Sequence, residues 1–177
     1  MLPILVFALL FLPQAPALPQ APAKDTLPGA INVTRVDATI ACAGATTPEA
    51  YPELKKRGFV SIVSLRREQE PAADIAGAKV AAAAAGLKYI HIPIDPDAIT
   101  NADVERFIEA VTDPANQPAY IHCGSANRVG ALWLIKRVLV DGWDVQRATG
   151  EAVFIGLTNA RLKQFAIDYA TSHKGKR

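Results

Sequence analysis

The sequence predicts an α/β fold with a central, mostly parallel sheet of about four to five strands flanked by helices. Three observations predict it. Short apolar runs alternate with longer helical patterns, the order from which parallel sheets are built. The run Val60 to Leu65 is almost continuously apolar, as a strand buried on both faces must be. The apolar stretch Ala119 to Ile121 passes through a turn of small residues into Ala131-Leu132-Trp133-Leu134-Ile135, a strand-turn-helix passage.

The elements follow in order. Lys24 to Gly29 is a polar lead-in, and Val33 to Ala41 reads as one or two short strands. Thr47 is an N-cap with Pro48 at the first helical position, and that helix runs to Lys56 or Arg57 and stops at Gly58. After the buried strand, Asp74 to Ala85 is an alanine-dominated helix that ends at Gly86. Leu87 to Ile92 is the next strand, closed by Pro93. Asn101 or Thr100 caps a helix from Ala102 to about Val111. Pro114 to Pro118 turns the chain into the strand at Ala119. Val129 to Val140 is a helix, and two more follow at about 144–153 and 158–172, around Gly156. In such sheets ligands bind beyond the carboxyl ends of the strands. That rule puts Arg66, Asp95 and the Cys123 turn on one rim.

The 177 residues are 50% hydrophobic, enough for one domain with a true core. Net charge is +2, from 19 Lys+Arg against 17 Asp+Glu, and the basic cluster His173-Lys174-Gly175-Lys176-Arg177 reads as a solvated tail. No basic stripe is interleaved with aromatics, so no nucleic-acid partner is expected. Zinc spacing, a dinucleotide glycine pattern and a Walker loop are absent from the sequence, so it calls for no metal and no cofactor. Leu2 to Leu12 is apolar and too short to span a bilayer, which takes about 20 apolar residues. Ala15-Pro16-Ala17 and Ala21-Pro22-Ala23 follow as small-x-small cleavage sites. Residues 1–23 therefore read as a signal peptide cleaved after Ala23. The remainder, 24–177, is a single domain in the periplasm or outside the cell, with no stable membrane span once the signal is removed. Export raises the question of whether Cys42 and Cys123 pair. The alternative is that Cys42 is a small buried apolar residue.

The chemistry concentrates in Tyr120-Ile121-His122-Cys123-Gly124-Ser125-Ala126-Asn127-Arg128-Val129-Gly130. A cysteine on a strand-to-helix turn faces converging backbone N–H groups and the positive end of a helix dipole. That field favours a thiolate, which is the nucleophilic form. Arg128 has the planar fork that grips a tetrahedral oxyanion through two hydrogen bonds, and an arginine at a helix start calls for a paired anion. The backbone N–H groups from Gly124 through Ser125, Ala126 and Asn127 to Arg128 would form the oxyanion cradle. A nucleophile inside an anion cradle implies group transfer through a cysteinyl intermediate.

This run resembles the signature loop of the cysteine-dependent protein phosphatases, especially the dual-specificity group. Within them it is similar to a bacterial subgroup described as beta-lactamase-hydrolase-like proteins or as phosphatases fused to NAD kinase. Val33 to Ala41, Gly58 to Arg66, Tyr89 to Asp95 and Ile155-Gly156-Leu157 occur in that order in the subgroup, so the likeness covers about residues 30 to 170. Two departures stand out. Four residues separate Cys123 from Arg128, where the wider family has five, and Val129 replaces a Ser or Thr whose hydroxyl helps the thiolate leave. The bacterial subgroup shares the short spacing, and so do rhodanese-type sulfurtransferases. Glycine is common where Ala126 stands, so a positive φ could be carried by Gly124 or Asn127 instead.

The resemblance implies a cysteine-phosphatase-like fold and an exported phosphatase. Its substrate would be a phosphorylated protein or a small-molecule phosphoester. Cys123 would attack phosphorus and Arg128 would bind the equatorial oxygens. Arg66, the subgroup's matching arginine, would contact substrate or pair with Glu68 or Glu70. His122 would order the loop from behind, by hydrogen bonds. The leaving group needs a proton donor, and Asp95 and Asp97, either side of Pro96, are equal candidates. Both also suit a turn next to proline. Two other functions stay open: a rhodanese-like sulfurtransferase carrying a persulfide on Cys123, and a catalytically degenerate anion-binding domain.

Overall fold

The computed structural model describes residues 21–175. The signal-peptide reading of residues 1–23 falls almost wholly outside them. Six strands form one sheet in the order β1-β2-β3-β6-β4-β5. They are β1 (Ala23–Asp25), β2 (Val33–Arg35), β3 (Ile40–Ala43), β4 (Ser61–Ser64), β5 (Lys88–His91) and β6 (Ala119–His122). The three pairings among β3, β6, β4 and β5 are parallel, and β1-β2-β3 is an antiparallel extension. The sheet thus has one strand more than the upper end of the four to five that the sequence predicts. Strand β1 straddles the expected cleavage point after Ala23 and the start of the polar lead-in; it carries no strand signal because all three of its residues are exposed and show no apolar alternation.

The helices are α1 (Tyr51–Lys56), α2 (Ile75–Ala84), α3 (Asn101–Thr112), α4 (Asn127–Leu139), α5 (Val145–Ile155) and α6 (Ala160–His173). Each starts close to where its sequence signals place it. Thr100, not Asn101, caps α3, in a capping box with Asp103. Asp74 caps α2 by accepting from the Gly77 amide. Pro48 opens a 3-10 turn, Pro48–Ala50, that leads into α1.

Strand pleating divides the core. Cys42, Val63, Ile121 and Cys123 point toward the layer of α3, α4, α5 and α6. Ala41, Ala43, Ile62 and Tyr120 point toward α1 and α2. Strand β6, between β3 and β4, is therefore buried on both faces. Helix α4 is buried along most of its length, including Trp133 with no exposed surface. The signature turn thus joins a fully buried strand to a helix buried along most of its length, which fixes its position. No helix among the described residues is long and apolar enough to cross a membrane.

Candidate active site

Strand β6 ends at His122, and α4 begins at Asn127, so Cys123 to Ala126 form the turn between them. The turn is pinned to the neighbouring strand. The Cys123 amide donates to the Ala43 carbonyl at 3.3 Å, and the Gly124 carbonyl accepts from the Ala45 amide at 3.0 Å. Among the described residues, the amides of Gly124 to Arg128 have no protein acceptor. These are the unsatisfied donors of a helix start, and they suit an anion.

The left-handed residue is Ala126, at φ 72° and ψ −4°, and neither Gly124 nor Asn127 takes a positive φ. An L-residue there costs about 1–2 kcal/mol. Asn127 braces the turn. Its Oδ1 accepts from the amides of Thr158 at 2.8 Å and Asn159 at 2.7 Å, and its Nδ2 donates to Ser125 Oγ at 3.1 Å. Ser125 therefore serves the brace with its side chain. Val129 is fully buried in the core, so no hydroxyl stands beside Cys123 from that position.

Arg128 is 7% exposed. Its Nη1 donates to the carbonyls of Leu65 at 2.9 Å and Ile94 at 3.0 Å, which tie the guanidinium to the chain after β4 and after β5. The Glu70 carboxylate meets it with two hydrogen bonds, Nη1 to Oε1 at 2.5 Å and Nη2 to Oε2 at 2.8 Å. A Cβ built on Gly124 would lie 3.5 Å from Arg128 Nη2 and 3.6 Å from Glu70 Oε2. The carboxylate thus sits over the turn beside Cys123. Burial pushes the Glu70 pKa up, but hydrogen bonds from Arg128 and the Arg67 amide, with the Arg128 charge, outweigh it and bring it to about 2. Burial works against the charge on Arg128, and Glu70 and Cys123 more than compensate, raising its pKa.

Arg66 does not face the cradle. Its Nη1 and Nη2 donate to the carbonyls of Ala72 and Pro71, and its Nε meets Glu70 Oε2 at 3.4 Å. It clamps the turn that presents Glu70. His122 is 2% exposed on the opposite face of the sheet from Cys123, and neither ring nitrogen has a hydrogen-bond partner among the described residues. Burial, then the charges of Arg66 and Arg128, lower its pKa to about 3, so the ring is neutral. It lines a small cavity of about 130 Å³ with Ser64, Arg66 and Tyr89. The ring backs the loop mainly by packing, with a weak interaction with the Cys123 backbone that works against the lowering of its pKa.

Asp95 and Asp97 lie on the loop after β5, held next to the site because Ile94 binds Arg128. Both carboxylates are engaged elsewhere. Asp95 Oδ2 pairs with Arg67 Nη1 at 3.0 Å, its Oδ1 accepts from the Asp97 amide, and Asp97 pairs with Arg161. Cys42 and Cys123 are both free. The register aligns Cys42 with Ile121, which leaves Cys123 two residues further along. Sequence reasoning gave Glu70 only as a partner for Arg66, and its stronger contact with Arg128 has no signal in the local sequence.

The model of the family described as DSP-PTPase phosphatase fused to NAD+ Kinase matches residues 26–166. The beta-lactamase hydrolase-like protein of Agrobacterium fabrum is 29% identical over 111 residues, which cover 62% of this chain and 26% of that protein. Its namesake in Xylella fastidiosa is 29% identical over 114 residues, covering 63% and 26%. The chain therefore spans about a quarter of the length of these relatives. Among solved structures, P. aeruginosa TpbA has a TM-score of 0.65 at 21% identity, over 89% of this chain and 91% of that one. The core catalytic domain of the S. cerevisiae PP-IP phosphatase SIW14 has a TM-score of 0.66 at 20% identity, over 81% and 88%. These two show the fold, a cysteine-phosphatase fold as the signature turn implied. With the family match running from just after β1 into α6, the chain belongs to the family of DSP-PTPase phosphatases fused to NAD+ kinase.

Proposed function

We propose that this chain hydrolyses phosphoesters through a phosphocysteine on Cys123. The observation that carries the reading is the Glu70 carboxylate gripped by Arg128 above the Cys123 turn. An oxyanion already fits the place where a phosphoryl group would lie. In the reaction, Cys123 Sγ attacks phosphorus as the bond to the leaving oxygen breaks. Arg128 and the turn amides hold the equatorial oxygens. Water then attacks the phosphocysteine, releasing phosphate and the free thiolate.

The leaving oxygen takes a proton from Asp95 or Asp97 only after one of them leaves its arginine. Leaving groups of low basicity need that proton least. Aryl phosphates and phosphoanhydrides are therefore the favoured substrates, ahead of alkyl esters such as phosphoserine. Two neighbours are consistent with that order: a TpbA variant was solved with pTyr, and SIW14 is described as a PP-IP phosphatase. A phosphorylated protein and a small phosphoester both remain within this class.

The test is aryl-phosphate hydrolysis under reductant by the wild type and by Cys123→Ser. Turnover that disappears in Cys123→Ser supports the reading, and no turnover in either protein overturns it for simple esters. The four-residue spacing between Cys123 and Arg128 favours a second reading, sulfur transfer, which thiosulfate-to-cyanide activity would reveal. We also propose export, supported by the apolar run Leu2 to Leu12 and the small-x-small sites after it. Cleavage after Ala17 would leave β1 whole, and cleavage after Ala23 would remove its first residue. N-terminal sequencing of the protein from a periplasmic fraction checks this.

A further inference from the structure

Ala126 keeps its left-handed conformation only if its surroundings hold it there. What backs it is the turn after α5. A Cβ on Gly156, itself at φ 140°, would lie 2.9 Å from the Ala126 Cβ and 2.3 Å from Asn32 Nδ2. The Ala126 methyl and the Asn32 amide therefore converge on Gly156, and only a residue without a side chain lets both approach.

Asn32 is in turn fixed by Lys24. The Lys24 ammonium donates to Asn32 Oδ1 at 2.6 Å, to Thr34 Oγ1 at 3.0 Å and to the Ile155 carbonyl at 3.5 Å. Ile155 is the last residue of α5 and the neighbour of Gly156, where a cation also suits the negative end of the helix dipole. The same ammonium lies 5.1 Å from the centre of the Phe154 ring. The turn from Gly156 to Asn159 is thus gripped from two sides. Lys24 and Asn32 hold it from β1 and the loop before β2. Ala126 and Asn127 meet it from the catalytic turn, Asn127 through the Thr158 and Asn159 amides.

We propose that Lys24 and Asn32 are positioning residues of the catalytic turn, acting through Gly156 on Ala126. The proposal rests on the phosphatase reading above for its kinetic consequence. Neither residue is placed in contact with substrate. Their removal lets the turn after α5 withdraw, so that Ala126 relaxes and the amides from Gly124 to Arg128 lose their common aim. A misplacement of about 1 Å from a change outside the chemistry can cost about a hundredfold in rate. This gives β1, an exposed strand with no catalytic side chain, a direct part in shaping the cradle.

The experiment compares the full chain with Lys24→Met, Lys24→Arg and Asn32→Gly, the last because glycine accepts the φ of 51° at that position. Aryl-phosphate kcat and KM, orthovanadate inhibition and thermal melting are measured for each. Lys24→Met and Asn32→Gly are expected to lose about ten- to a hundredfold in kcat and to weaken orthovanadate comparably, with melting within a few degrees of wild type. Lys24→Arg, which keeps the cation and its donors, should restore most of the activity. Unchanged kcat and orthovanadate affinity in folded Lys24→Met and Asn32→Gly would overturn the proposal. So would losses that merely follow the folded fraction. If the wild type itself fails to turn over aryl phosphates, the phosphatase reading fails instead. The brace is then read from the amide resonances of Ser125 to Arg128, which move in Lys24→Met if Lys24 positions the turn and stay in place if it does not.

Discussion

A buried arginine in the first turn of a helix faces the positive end of the helix dipole and has lost much of its hydration. Glu70 supplies the missing anion to Arg128, and in doing so it occupies the Arg128 edge that an incoming phosphoryl group would use. The two anions should therefore compete. Glu70→Gln keeps the shape and hydrogen-bonding reach of the side chain and removes its charge. Charge-assisted hydrogen bonds exceed neutral ones by about 1 kcal/mol, so orthovanadate should bind about five- to tenfold more tightly to Glu70→Gln than to the wild type. Titration calorimetry measures it. Equal or weaker binding would mean that Glu70 orients Arg128 for the substrate and does not compete with it. At this scale the sequence was legible where chemistry is local. Cys123, the small-residue turn and Arg128 lie within six consecutive positions. Glu70 is 58 residues from Arg128, and nothing near either residue specifies the pairing. The positive φ falls on Ala126 and not on Gly124 because glycine propensity is a local rule, whereas Ala126 is held by contacts from the turn after α5.

Cys42 lies on β3 opposite Ile121 of the parallel strand β6, and Cys123 follows two residues later, just beyond the end of β6. Cys42 lies mid-strand under α4 and α5, where burial, then the charges of Glu151 and Asp37, push its thiol well above the usual range. Cys123 lies just past the end of its strand, at the start of the anion cradle. Both thiols are buried, but Cys123 lies beside the Glu70 carboxylate that a ligand would displace, so under native conditions iodoacetamide should label Cys123 faster than Cys42, whereas both should react in denaturant. Peptide mass spectrometry reads the result, and labelling of Cys42 at the rate of Cys123 would refute the assignment. The parallel elements were legible because their signals are strong: apolar runs for strands, and caps such as Asp74 and Thr100 for helices. Strand β1 was not, because Ala23-Lys24-Asp25 is an exposed edge held by backbone pairing with Val33 to Arg35 and by the hydrogen bonds of Lys24. Nor does any local pattern state that β6 inserts between β3 and β4. Strands β3, β4 and β6 are all fully buried, so burial alone does not set their order; it is set by the pairing of β6 with both neighbours.

The whole molecule should respond to acid through the groups that its folding buries. His122 is neutral in the native state, with its pKa lowered from the usual 6.5 to about 3 by burial first and then by the Arg66 and Arg128 charges. In the unfolded chain the same ring takes up a proton as pH falls below about 6.5. The unfolded state then binds more protons than the native one, so stability rises with pH across this window. The contribution is fully present above pH 6.5 and is lost progressively as pH falls toward 3. Each pH unit in this window costs about 1.4 kcal/mol, or roughly 2–3 kcal/mol between pH 7 and pH 4.5. Glu70, lowered to about 2, acts in the same direction but later, its contribution being lost only as pH falls through the range from 4.5 to 2. The two groups therefore separate on the pH axis. Urea midpoints taken from pH 7.5 to pH 4.5 should fall steadily for the wild type. His122→Asn, which cannot take up the proton in either state, should flatten that slope while Glu70→Gln leaves it in place. A wild-type profile that is flat down to pH 4.5, or an unchanged slope in His122→Asn, would show that the ring behind Cys123 reaches solvent and protonates in the folded protein.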